Sequence, residues 1–210
     1  MLNEILKYLI ICVLLFSSSL FAEEKSSAEQ GEKGIEEFRR GNLIQAMTLL
    51  NKSAASGYTP AQTTLAYILD QAEENDRAFK LFEQAAEKNN PAAQFGLGNM
   101  YAKGEGTNKD TVIAGQWIKK SALQLHAPAM RAYAYALEYG NLGFKKNTQQ
   151  ALHWYIKCNQ ADDVICTRRL FKIYSDGELG QAVNLQKAAE FKHRLEQPLE
   201  DKKINQENKD

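Results

Sequence analysis

Few residues in this chain are arranged for bond-making chemistry. The three histidines, His126, His153 and His193, fall in separate segments and form no His-x-x-x-His pair. No metal site can therefore be assembled from local spacing. Gly104-Glu105-Gly106 superficially resembles a phosphate loop, but it lacks a third glycine and no strand precedes it, so it reads as a turn. The chain contains no Gly-x-Ser-x-Gly and no Ser-x-x-Lys, the local signatures of two families of serine hydrolase. The adjacent carboxylates Asp162 and Asp163 sit at a helix start, where capping accounts for them. On these grounds no catalytic residue, cofactor or metal ligand is assigned.

The elements that must position everything else are legible from a repeat. Ala46, Ala78, Ala114, Ala151 and Ala182 recur at intervals of 32, 36, 37 and 31 residues. Three residues later come Leu49, Leu81, Trp117, Trp154 and Leu185, and seven later the small Ser53, Ala85, Ser121, Cys158 and Ala189. A second comb, Leu65, Leu97, Tyr133 and Leu170, keeps the same irregular period. A period in the thirties means stacked helix pairs that work by presenting a surface. In the third unit Asp110 stands at an N-cap, Pro128 at a first turn and Gly140 at a helix end, with Gly104 and Gly177 in equivalent places. The expectation is an all-α chain, an α/α superhelical solenoid. A half-repeat comes first, four full pairs begin near Leu43, Asn75, Asp110 and Asn147, and a cap runs from about Gln181 to Leu195.

Composition narrows the class. The 26 basic residues balance the 26 acidic ones, so no global field draws nucleic acid or anionic lipid. At the amino terminus Lys7 precedes the apolar run Leu9–Phe16, and Ala22 is followed by Glu23-Glu24-Lys25. That is the pattern of a secretory signal peptide over 1–22, too short in its apolar part for a comfortable membrane span of roughly 20 residues. An uncleaved anchor is the alternative, because Leu20 is bulky where a small residue is usual. A lipoprotein signal through Cys12 is disfavoured by Ile11. Export to a periplasmic location is expected, with membrane contact only through residues 1–22 if they are retained. Residues 23–31 read as a flexible lead-in, 32–195 as the solenoid and 196–210 as a disordered polar tail.

The string Ala93-Gln94-Phe95-Gly96-Leu97-Gly98-Asn99-Met100-Tyr101-Ala102-Lys103-Gly104-Glu105-Gly106 resembles the second helix and loop of a Sel-one-like repeat, within the tetratricopeptide superfamily. Ala78–Ala86 and Ala151–Lys157 are similar to the first helix of that family. The likeness covers roughly residues 34–195. It departs at Leu69, where tyrosine is usual, and at Leu142 and Leu179, where a second loop glycine belongs. The resemblance implies a superhelical α/α solenoid. Cys158 and Cys166, with seven residues between them, fill small slots on paired helices, a spacing similar to the cysteine-rich, Hcp-like branch in which such pairs are bridged. A disulfide fits an exported chain, and the alternative is two buried free thiols. Some relatives in that branch are catalogued as penicillin-binding or β-lactamase proteins, which makes a weak hydrolase the alternative function.

Two polar rows follow from the register. Thr48, Lys80, Gln116, His153 and Asn184 lie two residues past each alanine; Lys52, Gln84, Lys120 and Lys157 lie six past the first four. On stacked first helices these rows line a groove whose lysines suit an acidic peptide, a carboxylate-bearing glycan or a partner helix. Exposed lysines that serve only solubility are the plainer explanation. The function expected is an exported scaffold that binds a protein, peptidoglycan or a cell-wall enzyme and regulates an envelope process.

Overall fold

A computed structural model describes residues 24–196, and those residues contain α-helices, turns and loops with no strand. The signal peptide expected over 1–22 and most of the polar tail expected over 196–210 lie outside the described residues. The helices are α1 (24–39), α2 (Leu43–Ala55), α3 (Thr59–Gln71), α4 (Asn75–Glu87), α5 (Pro91–Lys103), α6 (Thr111–Leu123), α7 (Ala127–Tyr139), α8 (Thr148–Gln160), α9 (Val164–Asp176) and α10 (Leu185–Glu196). They fall into two compact units, Met1–Ala93 and Gln94–Asp210. Four helix pairs run from α2/α3 to α8/α9, as the period requires. The half-repeat is α1, and α10 closes the series.

The flexible lead-in expected over residues 23–31 is corrected: residues 24–31 are the first turns of α1. Ser27 is buried and exchanges hydrogen bonds with Ser53, its Oγ donating to the Ser53 carbonyl at 3.3 Å and the Ser53 Oγ donating back at 2.7 Å. Tyr58 donates to Glu32 at 2.6 Å. A serine-rich, charged segment folds here because small side chains let α1 lie close against α2.

Each first helix buries the same positions. The repeat alanine is fully covered, and the residue four later, Leu50, Phe82, Ile118 or Tyr155, is buried. The residue three later is less covered than the comb suggests, since Trp117 is half-exposed while Trp154 is buried. On the second helices Ala61, Ala93, Ala129 and Cys166 sit opposite, followed by Leu65, Leu97, Tyr133 and Leu170. Small against large at matched levels is what lets paired helices interdigitate.

Local signals end and start the helices. Asp110 accepts from the backbone N–H groups of Val112 and Ile113, Asp163 from those of Ile165 and Cys166, and Asn147 from that of Gln150. Gly140 and Gly177 stop α7 and α9 with φ of 73°, a left-handed conformation that glycine adopts without Cβ strain. Leu142 and Leu179 take the left-handed position that Gly106 holds in its own loop. Leu142 accepts that conformation while packing against the hydrophobic cluster of the second unit.

The fifth repeat position is also corrected. Ala182 is exposed and Ala188 is buried, so the alanine comb continues at 37 residues past Ala151. Residues 177–184 form a loop like 140–147: the Asn184 N–H bonds Tyr174 as that of Asn147 bonds Leu137. Asn184 then caps α10 by accepting from the Lys187 N–H at 2.9 Å. It therefore does not belong to a polar row, and Leu185 is 70% exposed rather than core. In α10 the corresponding position, four residues past Ala188, is Lys192, which is exposed.

Candidate functional site

The cysteines occupy facing slots, as expected. Cys158 on α8 and Cys166 on α9 form a disulfide with Cα atoms 5.9 Å apart, and both residues are fully buried. Asp163 lies beside them and caps α9. Both sulfurs are consumed by the bond, so this cluster is a cross-link and not a thiolate ligand set.

The polar rows divide between the units. In the first, Thr48 and Lys52 are exposed on α2, and Lys80 and Gln84 on α4. Lys80 and Gln84 line a depression of about 380 Å³ with Asn51, Gln62, Arg77 and Leu81. Gln62 ties its floor together, donating to the Ala54 carbonyl at 3.2 Å and to Gln84 at 2.9 Å. Lys52 is not part of that lining, whose α2 residues are Asn51, Ala54 and Ala55.

In the second unit Gln116 and Lys120 lie on α6, His153 and Lys157 on α8. Lys120 places its ammonium 4.3 Å from the Trp117 ring centroid, and Lys157 lies 5.0 Å from that of Trp154. An ammonium over an indole face is held by the ring quadrupole. These two lysines therefore cover their own helix's tryptophan, three residues away on the same face. His153 meets Trp154 edge-on at 6.1 Å. His126 precedes α7, with Nδ1 3.2 Å from the Ser121 Oγ and its ring against Phe95, and burial lowers its pKa. It serves packing.

Sequence reasoning missed the second helices. A cavity of about 470 Å³ opens among α5, α7, α9 and the loop after α7, lined by Asn99, Ala102, Arg131, Ala132, Tyr135, Asn141, Leu142, Ile165 and Arg169, with Ile118 and Tyr155 from the first helices. Beside it is an ionic cluster built around the buried Glu138. Arg169 donates to Glu138 through Nε at 3.2 Å and through Nη2, and pairs with Glu178 at 2.5 Å. The Tyr155 hydroxyl also donates to Glu138, at 2.8 Å. Burial alone would push the Glu138 carboxyl up, but the hydrogen bonds of Arg169 and Tyr155 outweigh it and hold it below its usual range. Burial and that same carboxylate push the Tyr155 phenol up. All members are satisfied, so the cluster fixes the packing of three helices. The signal was present in Arg131 and Arg168, 37 residues apart and so at one repeat position, but a single comb of alanines does not reveal which outward positions gather around a cavity.

The sequence profile described as Sel1 repeat matches residues 28–58, 65–90, 91–124 and 127–158. The chain belongs to the Sel1 repeat family. A solved Sel1 repeat protein from Oxalobacter formigenes superposes with a TM-score of 0.71 at 27% identity, covering 78% of this chain and 68% of that one. The Sel1-repeat-containing protein YjcO of Escherichia coli K12 is 35% identical over 133 residues, 58% of each chain. An Arabidopsis thaliana ERAD-associated E3 ubiquitin-protein ligase component, HRD3A, is 28% identical over 144 residues, 61% of this chain and 21% of that protein. The chain thus spans from about a fifth to rather over half the length of these two relatives. With the family, the α/α solenoid is the fold class. The profile's first match begins at residue 28, inside α1, which agrees with α1 being part of the repeat array.

Proposed function

We propose that this Sel1 repeat chain is an exported scaffold that binds a protein partner in the cell envelope and catalyses no reaction. The observation that carries the binding reading is the regular exposure of polar side chains on the first helices, with Lys80 and Gln84 lining a shaped depression. A relative named as a component of a ligase assembly supports a role in complexes. Two features support export: the basic and apolar pattern of residues 1–22, and a disulfide, a cross-link that persists in oxidising compartments.

Intact mass of the protein from the envelope fraction, with thiol alkylation in the absence of reductant, tests the location. The expected product begins at Glu23 and carries no alkylated cysteine. A chain that keeps residues 1–22 and alkylates at both Cys158 and Cys166 overturns the export reading. Cross-linking in the same fraction then tests the surface, with Lys52→Ala/Lys80→Ala as the control that should lose the partner. Purified protein should leave a chromogenic β-lactam unhydrolysed; turnover would favour the hydrolase alternative.

A further inference from the structure

One face of α9 stands open along the helix. Ile165, Arg168, Arg169, Phe171 and Lys172 line a groove of about 530 Å³ there, with Asp176 at its far end. Ile165 is 53% exposed and Phe171 half-buried. The matching side of α7 is covered, because α9 lies against it: Arg131 pairs with Asp163 at the start of α9, and Glu138 with Arg169. The open face of α9 is thus the one on which a further second helix would pack.

The direction of α10 decides which segment is at hand. At its start the Asn184 N–H bonds the Tyr174 carbonyl, and near its end Arg194 reaches Asp162. Helix α10 therefore runs antiparallel to α9 and delivers residues 197–210 beside the first turn of α9, at one end of the groove. Four extended residues span roughly 13 Å. Arg168 lies about 6 Å along the helix axis from Val164, so Glu200 can reach it.

The repeat sets the register. Ala188 lies 37 residues past Ala151, and Arg168 lies 37 past Arg131. Arg131 bonds Asp163, 32 residues further on. The residue 32 past Arg168 is Glu200. Arg169 and Lys172 already pair with Glu178, whereas Arg168 is exposed and has no acidic partner among the described residues. The sequence therefore puts a carboxylate where it repeats the Arg131–Asp163 pair. The core slots are not kept, since Lys203 and Glu207 stand 37 past Cys166 and Leu170. Charges at those slots are costly to bury, so the segment suits a surface position. Leu199 and Ile204 are its apolar residues.

We infer that residues 197–210 lie along the open face of α9, with the Glu200 carboxylate accepting from the Arg168 guanidinium. Leu199 and Ile204 cover Ile165 and Phe171. The place where α10 delivers the chain and the repeat register select this occupant. The inference is independent of the scaffold reading, because it needs no partner.

Thermolysin digestion of the full chain, followed by intact mass, reads cleavage of the Lys203–Ile204 bond. Such cleavage follows the population of the open form when opening and closing are fast. Synthetic peptides of residues 197–210, with and without Glu200→Arg, give the rate of the undocked segment. The full chain should be cleaved at least about threefold more slowly than its peptide, a modest margin suited to an exposed ion pair. Arg168→Glu or Glu200→Arg alone should remove that protection, and Arg168→Glu/Glu200→Arg together should restore it. Circular dichroism checks that each variant folds. Cleavage of the full chain at the peptide's rate overturns the assignment, as does a double variant no better protected than either single one. Protection that fades on dilution places a second copy's segment in the groove and overturns docking within one chain. Partner binding is read separately, by the cross-linking above, so either reading can fail without the other.

Discussion

Single residues in this protein act through how little room they leave. A Cβ added at Gly115 would lie 2.1 Å from the Leu142 carbonyl oxygen and 2.9 Å from the Phe144 ring. The obstructing atom is backbone, so the loop must move. Gly115→Ala should destabilise by about 1–3 kcal/mol, the range for overpacking. It should also loosen the Leu142 wall of the cavity, readable as a lower urea midpoint. The two tryptophans at one repeat position should differ. Trp154→Ala removes a buried ring that packs edge-on against Tyr133 at 5.3 Å and should cost about 3–5 kcal/mol. Trp117 is half-exposed under Lys120, so its alanine variant should cost distinctly less. Equal losses in urea titrations would show that the lysine covers Trp117 as fully as the core covers Trp154.

Between elements, stability rests on how each helix is joined to the next. The α8–α9 turn is short, capped by Asp163 and tied by the disulfide. Closing a loop of this length removes unfolded-state entropy worth about 2–3 kcal/mol. Cys158→Ala/Cys166→Ala should therefore lower the thermal midpoint by several degrees, and reductant should do the same to the native chain but not to the variant. A native chain indifferent to reductant would mean that the bridge does not form in solution. Helix α10 is held by comparable devices. Arg194 donates to Asp162 at 2.9 Å, Phe191 stacks on Tyr174 at 5.8 Å, and Lys187 lies 4.9 Å from that ring. It docks as another first helix would, and the charge at Lys192 turns its outer face to water.

Across the whole molecule, acid should act through two groups of the second unit, the half-buried His126 and the buried Glu138. Burial lowers the pKa of His126 below its ordinary 6.5, so the unfolded chain takes up that proton first. Its effect is absent above about pH 6.5 and becomes a destabilisation as pH falls through that value. Glu138 keeps a lowered carboxyl pKa because Arg169 and Tyr155 outweigh the burial that opposes them. That contribution is complete above the usual carboxylate range and is lost as pH falls through the lower folded value. Both terms have the same sign, so urea midpoints should fall monotonically from pH 7 to pH 3. His126→Gln should flatten the upper part of that decline and Glu138→Gln the lower part. A midpoint that rises on acidification would contradict both assignments.

What the amino-acid order determined alone is the part written in local periodicity and caps. Ala46, Ala78, Ala114 and Ala151 with their followers announce helix pairs, because burial repeats every turn on one face. Asp110, Asp163, Gly140 and Gly177 mark ends through their own backbone chemistry. The cysteines showed their slots for the same reason. Local reading failed where the deciding neighbour is distant in the chain. Residues 24–31 look like a solvated lead-in until Ser27 meets Ser53, and Ala182 looks like a repeat alanine until the 177–184 loop places Ala188 against α9. Lys120 and Lys157 read as groove cations, yet two indoles hold them. The cavity, too, belongs to tertiary structure. Asn99, Arg131, Asn141 and Ile165 come from four segments, and only the packing of α5, α7 and α9 brings them to one cavity.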